Sequence, residues 1–212
     1  MAHDSPPDLD GAYAMRSPED ARRLYANWAE TYDADFVAGT GYRLAQRVAE
    51  LFVAAGGAGP VLDVGCGTGA VAVALPDGML VDGLDLSPEM LAVARRTGRY
   101  RNLTEADLTT DLPDLPGPPY AGMVSAGTFT HGHVGPDALP RLIALLDRGG
   151  LFVFSTRPDL YLGGFEETLE ALASDGLTGL PLVQEERIYE HADAAPEGHG
   201  ADTGLIVTVE RL

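Results

Sequence analysis

The sequence of 212 residues predicts one α/β domain with a doubly wound, mostly parallel sheet. Three observations lead to this fold class. Short apolar runs typical of buried strands alternate with helical patterns from residue 61 onward. The first of these runs leads straight into a glycine-rich turn and a helix start. The last strand, 205–212, alternates between polar and apolar side chains, as an antiparallel edge or near-edge strand does.

The chain divides into three parts. Residues 1–15 show no periodicity, and we expect a mobile arm. Residues 16–212 form the single domain, in which 16–58 predict two helices separated by a glycine-containing break. Residues 59–212 form its core, with alternating elements: strand 61–64, helix 70–75, strand 79–84, helix 88–97, strand 101–106, strand 121–126, helix 137–147, strand 150–155, helix 164–174, strand 182–190 and the last strand.

The turn after the first strand holds three glycines, at Gly65, Gly67 and Gly69. Without a Cβ, Gly65 and Gly67 allow the backbone to turn sharply and to approach a ligand closely. The following helix directs free N–H groups and its positive dipole end at the same place, which favours a carboxylate or phosphate. The pattern predicts a nucleotide-type cofactor site, and a turn without any ligand is the alternative.

Two acids indicate which cofactor this is. Asp85 ends the second strand about 20 residues after Gly65, where a carboxylate accepts both hydroxyls of a ribose. Asp63 precedes the first glycine, where a negative charge would repel a pyrophosphate but suit the methionyl ammonium and sulfonium of S-adenosylmethionine (SAM). The alternatives are that Asp63 only accepts N–H bonds from the loop and that Asp85 only caps a turn.

The stretches VLDVGCGTG at 61–69 and GLDLSPEML at 83–91 resemble motif I and the acidic loop of class I SAM-dependent methyltransferases. Weaker similarity, of the methyltransferase type 11/12-like kind, extends from Trp28 to Leu212, and 125–157 is similar to the Williams–Beuren-region methyltransferase-like branch. The resemblance implies a Rossmann-like sheet of seven strands with an antiparallel last strand and an N-terminal helical lid. It also implies SAM as cofactor and S-adenosylhomocysteine (SAH) as product.

Ligands of open α/β sheets bind beyond the carboxyl ends of the strands, where the strand order reverses. We therefore expect one crevice lined by four segments: Gly65-Cys66-Gly67, Asp85-Leu86, Ala106-Asp107-Leu108 and Ser125-Ala126. The resemblance implies that Asp107 accepts the adenine amino group, that Leu86 and Leu108 sandwich the ring, and that Met90 closes the pocket floor. A turn cap ahead of Thr109 is the alternative role for Asp107.

Two further candidates lie outside these segments. Trp28 and Tyr32 fall on one face of the first predicted helix, which the resemblance implies closes over the cofactor; a packing stripe is the alternative. Methyl transfer from a sulfonium depends mainly on alignment and exclusion of water, and a base is needed only if the acceptor arrives protonated. His131, just after the fourth strand, is the expected base, and a solvent-facing histidine is its alternative role.

Composition excludes several classes of function. The net charge is −18 and every basic residue is an arginine, so Schiff-base chemistry on a lysine is excluded and polyanionic partners such as nucleic acids or anionic membranes are disfavoured. No apolar run is long enough for a membrane span, and no secretory signal is recognised. The single cysteine, Cys66, excludes an internal disulfide or a cysteine-based metal cluster, and we expect a cytoplasmic monomer or homodimer without a metal.

The expected function is methyl transfer from SAM to an O, N or S nucleophile of a small-molecule acceptor. An NAD(P)-binding oxidoreductase is the alternative from another class, since Gly65-x-Gly67-x-x-Ala70 followed by Asp85 also fits that fingerprint. A SAM-binding protein without catalysis is the third possibility.

Overall fold

Seven strands form the central sheet, in the order β3-β2-β1-β4-β5-β7-β6. The computed structural model describes residues 41–110, 112–117, 119–130, 134–190 and 202–212. The antiparallel strand β7 lies between β5 and β6, and the other pairs are parallel. The predicted fold class is confirmed. The strands are β1 (Val61–Val64), β2 (Val81–Asp85), β3 (Tyr100–Glu105), β4 (Tyr120–Phe129), β5 (Leu146–Thr156), β6 (Leu182–Arg187) and β7 (Thr203–Glu210).

Helices cover both faces of the sheet, and each face has its own core. Successive residues of a strand point to opposite faces, so Val61 packs with the cluster around α1 and α2, while Leu62 packs with the cluster around α4 and α6. No helix among these residues is long and apolar enough to cross a membrane. The helices are α1 (Leu44–Ala54), α2 (Ala70–Ala74), α3 (Pro88–Arg96), α4 (Leu139–Ile143), α5 (Pro158–Leu160) and α6 (Glu166–Ser174), with a 3₁₀ turn (Pro136–Ala138) and a π-helical turn (Tyr161–Phe165).

Element boundaries differ from the prediction mainly in the second half of the sheet. The helix predicted over 137–147 ends at Ile143, and β5 starts at Leu146, which pairs with Tyr120. The Arg211 guanidinium donates to the carbonyls of Ala144 and Leu146, so a residue near the end of the chain contacts the segment between this helix and β5. A local pattern cannot contain that information, since the donor lies 65 residues away.

The predicted arm, 1–15, and most of the predicted lid lie outside the described residues. Helix α1 belongs to that predicted lid segment and matches the helix expected at 43–55. It packs Val48 and Phe52 into the core, and Phe52 lies so close to Gly57 and Gly122 that a Cβ at either glycine would overlap its ring. The described part of the segment is therefore built into the domain.

A buried acid secures the end of the sheet opposite the glycine turn. Asp82 is 2% exposed and accepts hydrogen bonds from Arg101 Nε (3.0 Å) and Nη2 (2.6 Å), from Asn102 Nδ2 (2.9 Å) and from the Tyr120 hydroxyl (3.0 Å). Burial alone raises the pKa of Asp82, but these donors outweigh burial and hold the pKa below its usual range. This cluster joins β2, β3 and the start of β4.

We predict that Asp82→Ala lowers the free energy of unfolding by about 3 kcal/mol, because it leaves a cation and two further donors without their acceptor. Since the folded-state pKa is lowered, the contribution is fully present above the carboxyl pKa of the unfolded chain, and it is lost as the pH falls through the folded-state pKa. Urea unfolding measures both effects. Asp77→Ala is the control, since Asp77 is fully exposed and its Oδ1 lies 3.6 Å from Arg99 Nη1. Equal losses in the two variants would contradict the prediction.

Candidate active site

The glycine turn follows β1, which lies between β2 and β4 in the sheet. The strand order reverses at this point. Gly65, Gly67 and Gly69 all have positive φ, at 66°, 53° and 101°. Residues that carry a Cβ rarely adopt this left-handed backbone conformation, which explains why three glycines occur in so short a stretch. Gly69 is the N-cap of α2, so the turn passes directly into the helix.

Asp85 connects the end of β2 to this turn. Its Oδ2 accepts a hydrogen bond from the Gly67 amide and its Oδ1 accepts one from the Ser87 amide, each at 2.8 Å. Burial raises the pKa of Asp85, and the amides of Ser87, Gly67 and Leu86 partly offset that rise. The carboxylate thus performs the turn-capping role given as an alternative. Each oxygen has further acceptor capacity, so ribose binding stays a prediction.

Asp63 on β1 is completely buried. Its Oδ2 accepts a 2.7 Å hydrogen bond from the Tyr100 hydroxyl, and its Oδ1 has no partner in the part of the chain that the structure describes. Burial, reinforced by the nearby Asp85, raises the pKa of Asp63 to about 7, although hydrogen bonds from Tyr100 and the amide of Ala72 act in the opposite direction. An acid next to the glycine turn therefore titrates near neutral pH and keeps one oxygen available.

Cys66 occupies the centre of the glycine turn, but its side chain is 6% exposed. It packs against Leu91 and Ala94 of α3, and its sulfur lies 3.0 Å from the place where a Cβ of Gly83 would stand. Burial raises the pKa of the Cys66 thiol well above its usual value. The thiol is therefore a packing group, and only the backbone of Cys66 lies in the turn beside the crevice.

The segment after β3 reaches the same edge of the sheet. The Ala106 amide donates to the Asp85 carbonyl (2.9 Å), and Ala106 and Leu108 are buried. Asp107 Oδ1 accepts from the amide and the hydroxyl of Thr109, at 2.8 Å and 2.6 Å. Asp107 therefore caps the turn ahead of Thr109. Its adenine contact stays a prediction.

Two other predicted residues belong to α3 and the turn before it. The Met90 amide donates to Ser87 Oγ, the helix cap, and the Met90 side chain is 2% exposed. Leu86 is half-buried directly beside Asp85. Trp28, Tyr32 and His131 lie outside the described residues. Hydrogen bonds of Gly67, Asp85, Ala106 and Ser125 join the ends of β1, β2 and β3 to one another and to the middle of β4.

Sequence reasoning missed three residues at this edge. The Ser125 hydroxyl donates to the Val64 carbonyl (2.6 Å), and its cofactor contact stays a prediction; Thr128, which was not predicted, donates to the same carbonyl (3.0 Å). Tyr100 holds Asp63, and the Tyr42 hydroxyl lies 3.2 Å from the place of a Cβ at Gly127. The only sequence signal that could have pointed to this part of β4 is the run of mostly small and hydroxyl residues at 125–130.

Within the described ranges, no group of three or more His, Cys, Asp or Glu side chains is placed to hold a metal ion.

Comparisons with known proteins match this geometry. Residues 61–150 match the family described as "Methyltransferase domain". The chain is 33% identical over 162 residues to human Methyltransferase-like protein 27, a match that spans 73% of this chain and 65% of that protein. The chain thus covers somewhat less than two thirds of that relative's length.

Solved structures share the fold at lower identity. Magnesium protoporphyrin IX methyltransferase from Synechocystis PCC 6803 with bound SAM superposes with a TM-score of 0.60 at 19% identity, covering 100% of each chain. The [4+2]-cyclase SpnF superposes with a TM-score of 0.61 at 17% identity, covering 93% of this chain and 96% of that one. The sheet order, the glycine turn followed by Asp85, and the matched domain agree with one another: residues 61–150 match a methyltransferase domain, and the chain is similar to class I SAM-dependent methyltransferases.

Proposed function

We propose that this protein transfers a methyl group from SAM to an O, N or S nucleophile of a small-molecule acceptor and releases SAH. The observation that carries the proposal is the 2.8 Å hydrogen bond from the Gly67 amide to the Asp85 carboxylate. It places the acid against a glycine turn at the reversal of strand order, where open α/β sheets bind nucleotide-type ligands.

The residues present fit SAM. A Cβ at Gly65 would overlap Thr128, so the turn accepts only a glycine here, and Asp63 keeps a buried oxygen without a partner among the described residues. We assign ribose binding to Asp85, the methionyl ammonium to Asp63 and the adenine amino group to Asp107. SAM supplies a methyl group that is already activated by its positively charged sulfur, so the protein contributes alignment and exclusion of water.

The charge of the chain supports a small, neutral or cationic acceptor. A net charge of −18 without a lysine repels polyanions, and nucleic-acid binding draws most of its affinity from basic residues. Magnesium protoporphyrin IX methyltransferase, which shares the fold, is named for a small-molecule substrate. We propose that the acceptor of this chain is of that general size class.

Fold likeness does not fix the reaction, because a [4+2]-cyclase has the same architecture. For this reason the test measures methyl transfer itself. Methyl-labelled SAM is incubated with the protein and a panel of amines, phenols, thiols and carboxylates, with SAH, NAD and NADP titrated in parallel by calorimetry. We expect SAH to bind with about micromolar affinity, NAD to give no heat, and label to appear on a small acceptor.

Two outcomes would contradict the proposal. Binding of NAD without a response to SAM or SAH would assign the chain to the oxidoreductase alternative. Binding of SAH, with label transferred only to proteins or nucleic acids of a cell extract, would remove the small-molecule acceptor. Asp85→Ala protein serves as the blank for the labelling assay.

We predict that SAH affinity rises about tenfold between pH 6 and pH 8, as Asp63 loses its proton. The pKa of Asp63 is raised to about 7, so the carboxyl is largely neutral at the lower pH and attracts an ammonium only after it ionises. The same shift means that binding at the lower pH releases a proton. Calorimetry in buffers of different ionisation enthalpy measures the release.

The control for this pH dependence is Asp63→Asn, which keeps the size of the side chain and removes its titration. We expect weaker SAH binding with a flat pH profile. The groups facing Asp63 are Tyr100 from β3, Cys66 from the turn and Asp85 from β2, and burial raises the pKa of all three. An equal slope in the parent and the asparagine variant would assign the pH dependence to one of these neighbours.

For a hydroxyl or thiol acceptor, we predict that His131→Asn lowers turnover at saturating SAM about a hundredfold and abolishes its rise through about pH 6–7. The residue follows β4 by two positions, and the carboxyl end of β4 borders the crevice. His133→Asn is the matched control, with a second histidine of the same loop removed. Full activity of the His131 variant at neutral pH would leave alignment alone as the mechanism.

A further inference from the structure

Strand β4 is irregular where it passes the glycine turn. Its residues Ser125 and Phe129 pair with Phe154 and Thr156 of β5, so four steps along β4 correspond to two steps along β5. The bulge contains Gly127, whose φ is 80° and whose amide donates to the Ser155 hydroxyl at 3.0 Å. Bulges of this kind change the direction in which the following side chains point, and they are frequent next to active sites.

The side chain that this bulge directs toward β1 is Thr128. Its hydroxyl donates to the Val64 carbonyl at 3.0 Å and lies 3.4 Å from the Gly65 carbonyl. Ser125, the residue just before the bulge, donates to the Val64 carbonyl at 2.6 Å. Two hydroxyls from β4 therefore hold the backbone at the point where β1 ends and the glycine turn begins.

Thr128 also fills the space that the glycine leaves. A Cβ added to Gly65 would stand 2.0 Å from Thr128 Oγ1 and 2.7 Å from its Cγ2. Thr128 is 9% exposed and is thus part of the wall behind the turn. Position 65 is consequently restricted twice, by its positive φ of 66° and by the threonine that packs against it.

We propose that Thr128 is a positioning residue for methyl transfer: its hydroxyl fixes the conformation of the Val64–Gly65 turn and thereby the affinity and orientation of SAM. The proposal rests on the proposed binding of SAM at this turn. Thr128 itself lies behind the glycine turn, so its effect would reach the cofactor through the Val64 carbonyl to which its hydroxyl donates. The hydroxyl carries this role, and the methyl group supplies packing.

Three substitutions separate the hydroxyl from the bulk of the side chain. Thr128→Val keeps the shape and removes the donor, Thr128→Ser keeps the donor and removes the methyl group, and Thr128→Ala removes both without adding strain. Thr156→Val is the matched control, because Thr156 is also buried (3% exposed) and donates one hydrogen bond of 3.0 Å to a carbonyl, but to that of Phe129 at the end of the bulge and not to the glycine turn. SAH affinity by calorimetry, KM for SAM and thermal unfolding are measured for each.

We expect SAH affinity to fall on the order of tenfold in the valine and alanine variants, with KM for SAM rising in parallel. The serine variant should bind SAH like the parent, and Thr156→Val should lose thermal stability while its SAH affinity is unchanged. Parent-like SAH binding by the valine or alanine variant would overturn the proposal, as would an equal loss in the serine variant. Failure of the parent protein to bind SAH would instead overturn the proposed function.

Discussion

The conformation of the glycine turn depends on how closely β4 approaches the end of β1. The Val64 carbonyl accepts hydroxyl hydrogen bonds at 2.6 Å and 3.0 Å from two residues of β4, and the chain turns at Gly65 without room for a side chain. The same turn then presents the Gly67 amide to Asp85 on β2. One backbone turn thus links the strands on both sides of the reversal point, and the position of the acid follows from that of the glycines.

Two buried carboxyl groups, those of Asp63 and Asp85, lie close together at this edge of the sheet. Asp63 and Asp85 are close enough to raise the pKa of Asp63, and burial raises the pKa of both. Neither carboxyl has a basic side chain as hydrogen-bond partner among the described residues; they are held by Tyr100 and by backbone amides. A cationic ligand such as SAM would supply the missing positive charge, so binding and ionisation are expected to support each other.

The acids at the two ends of β2 differ in how far their hydrogen-bonding capacity is satisfied. Asp82, at the start of the strand, is paired with Arg101 and two further donors, which lowers its pKa. Asp85, three residues later, has no such partner, and burial raises its pKa. The fully satisfied acid stabilises the sheet, whereas the incompletely satisfied acid retains acceptor capacity for a ligand at the carboxyl edge.

The sequence by itself determined the fold class, the strand–turn–helix at 61–74 and the two acids Asp63 and Asp85, because periodicity, glycine spacing and short-range order are local properties. It could not locate Tyr100, Thr128 or the bulge at Gly127, since each acts on a residue far away in the chain. It also left two roles open for Asp107, and the structure shows the turn cap. Cys66 stands in the predicted motif, yet only tertiary packing decided that its thiol is buried against α3. Side-chain direction and partners are set by contacts between strands, and those contacts exist only in the folded chain.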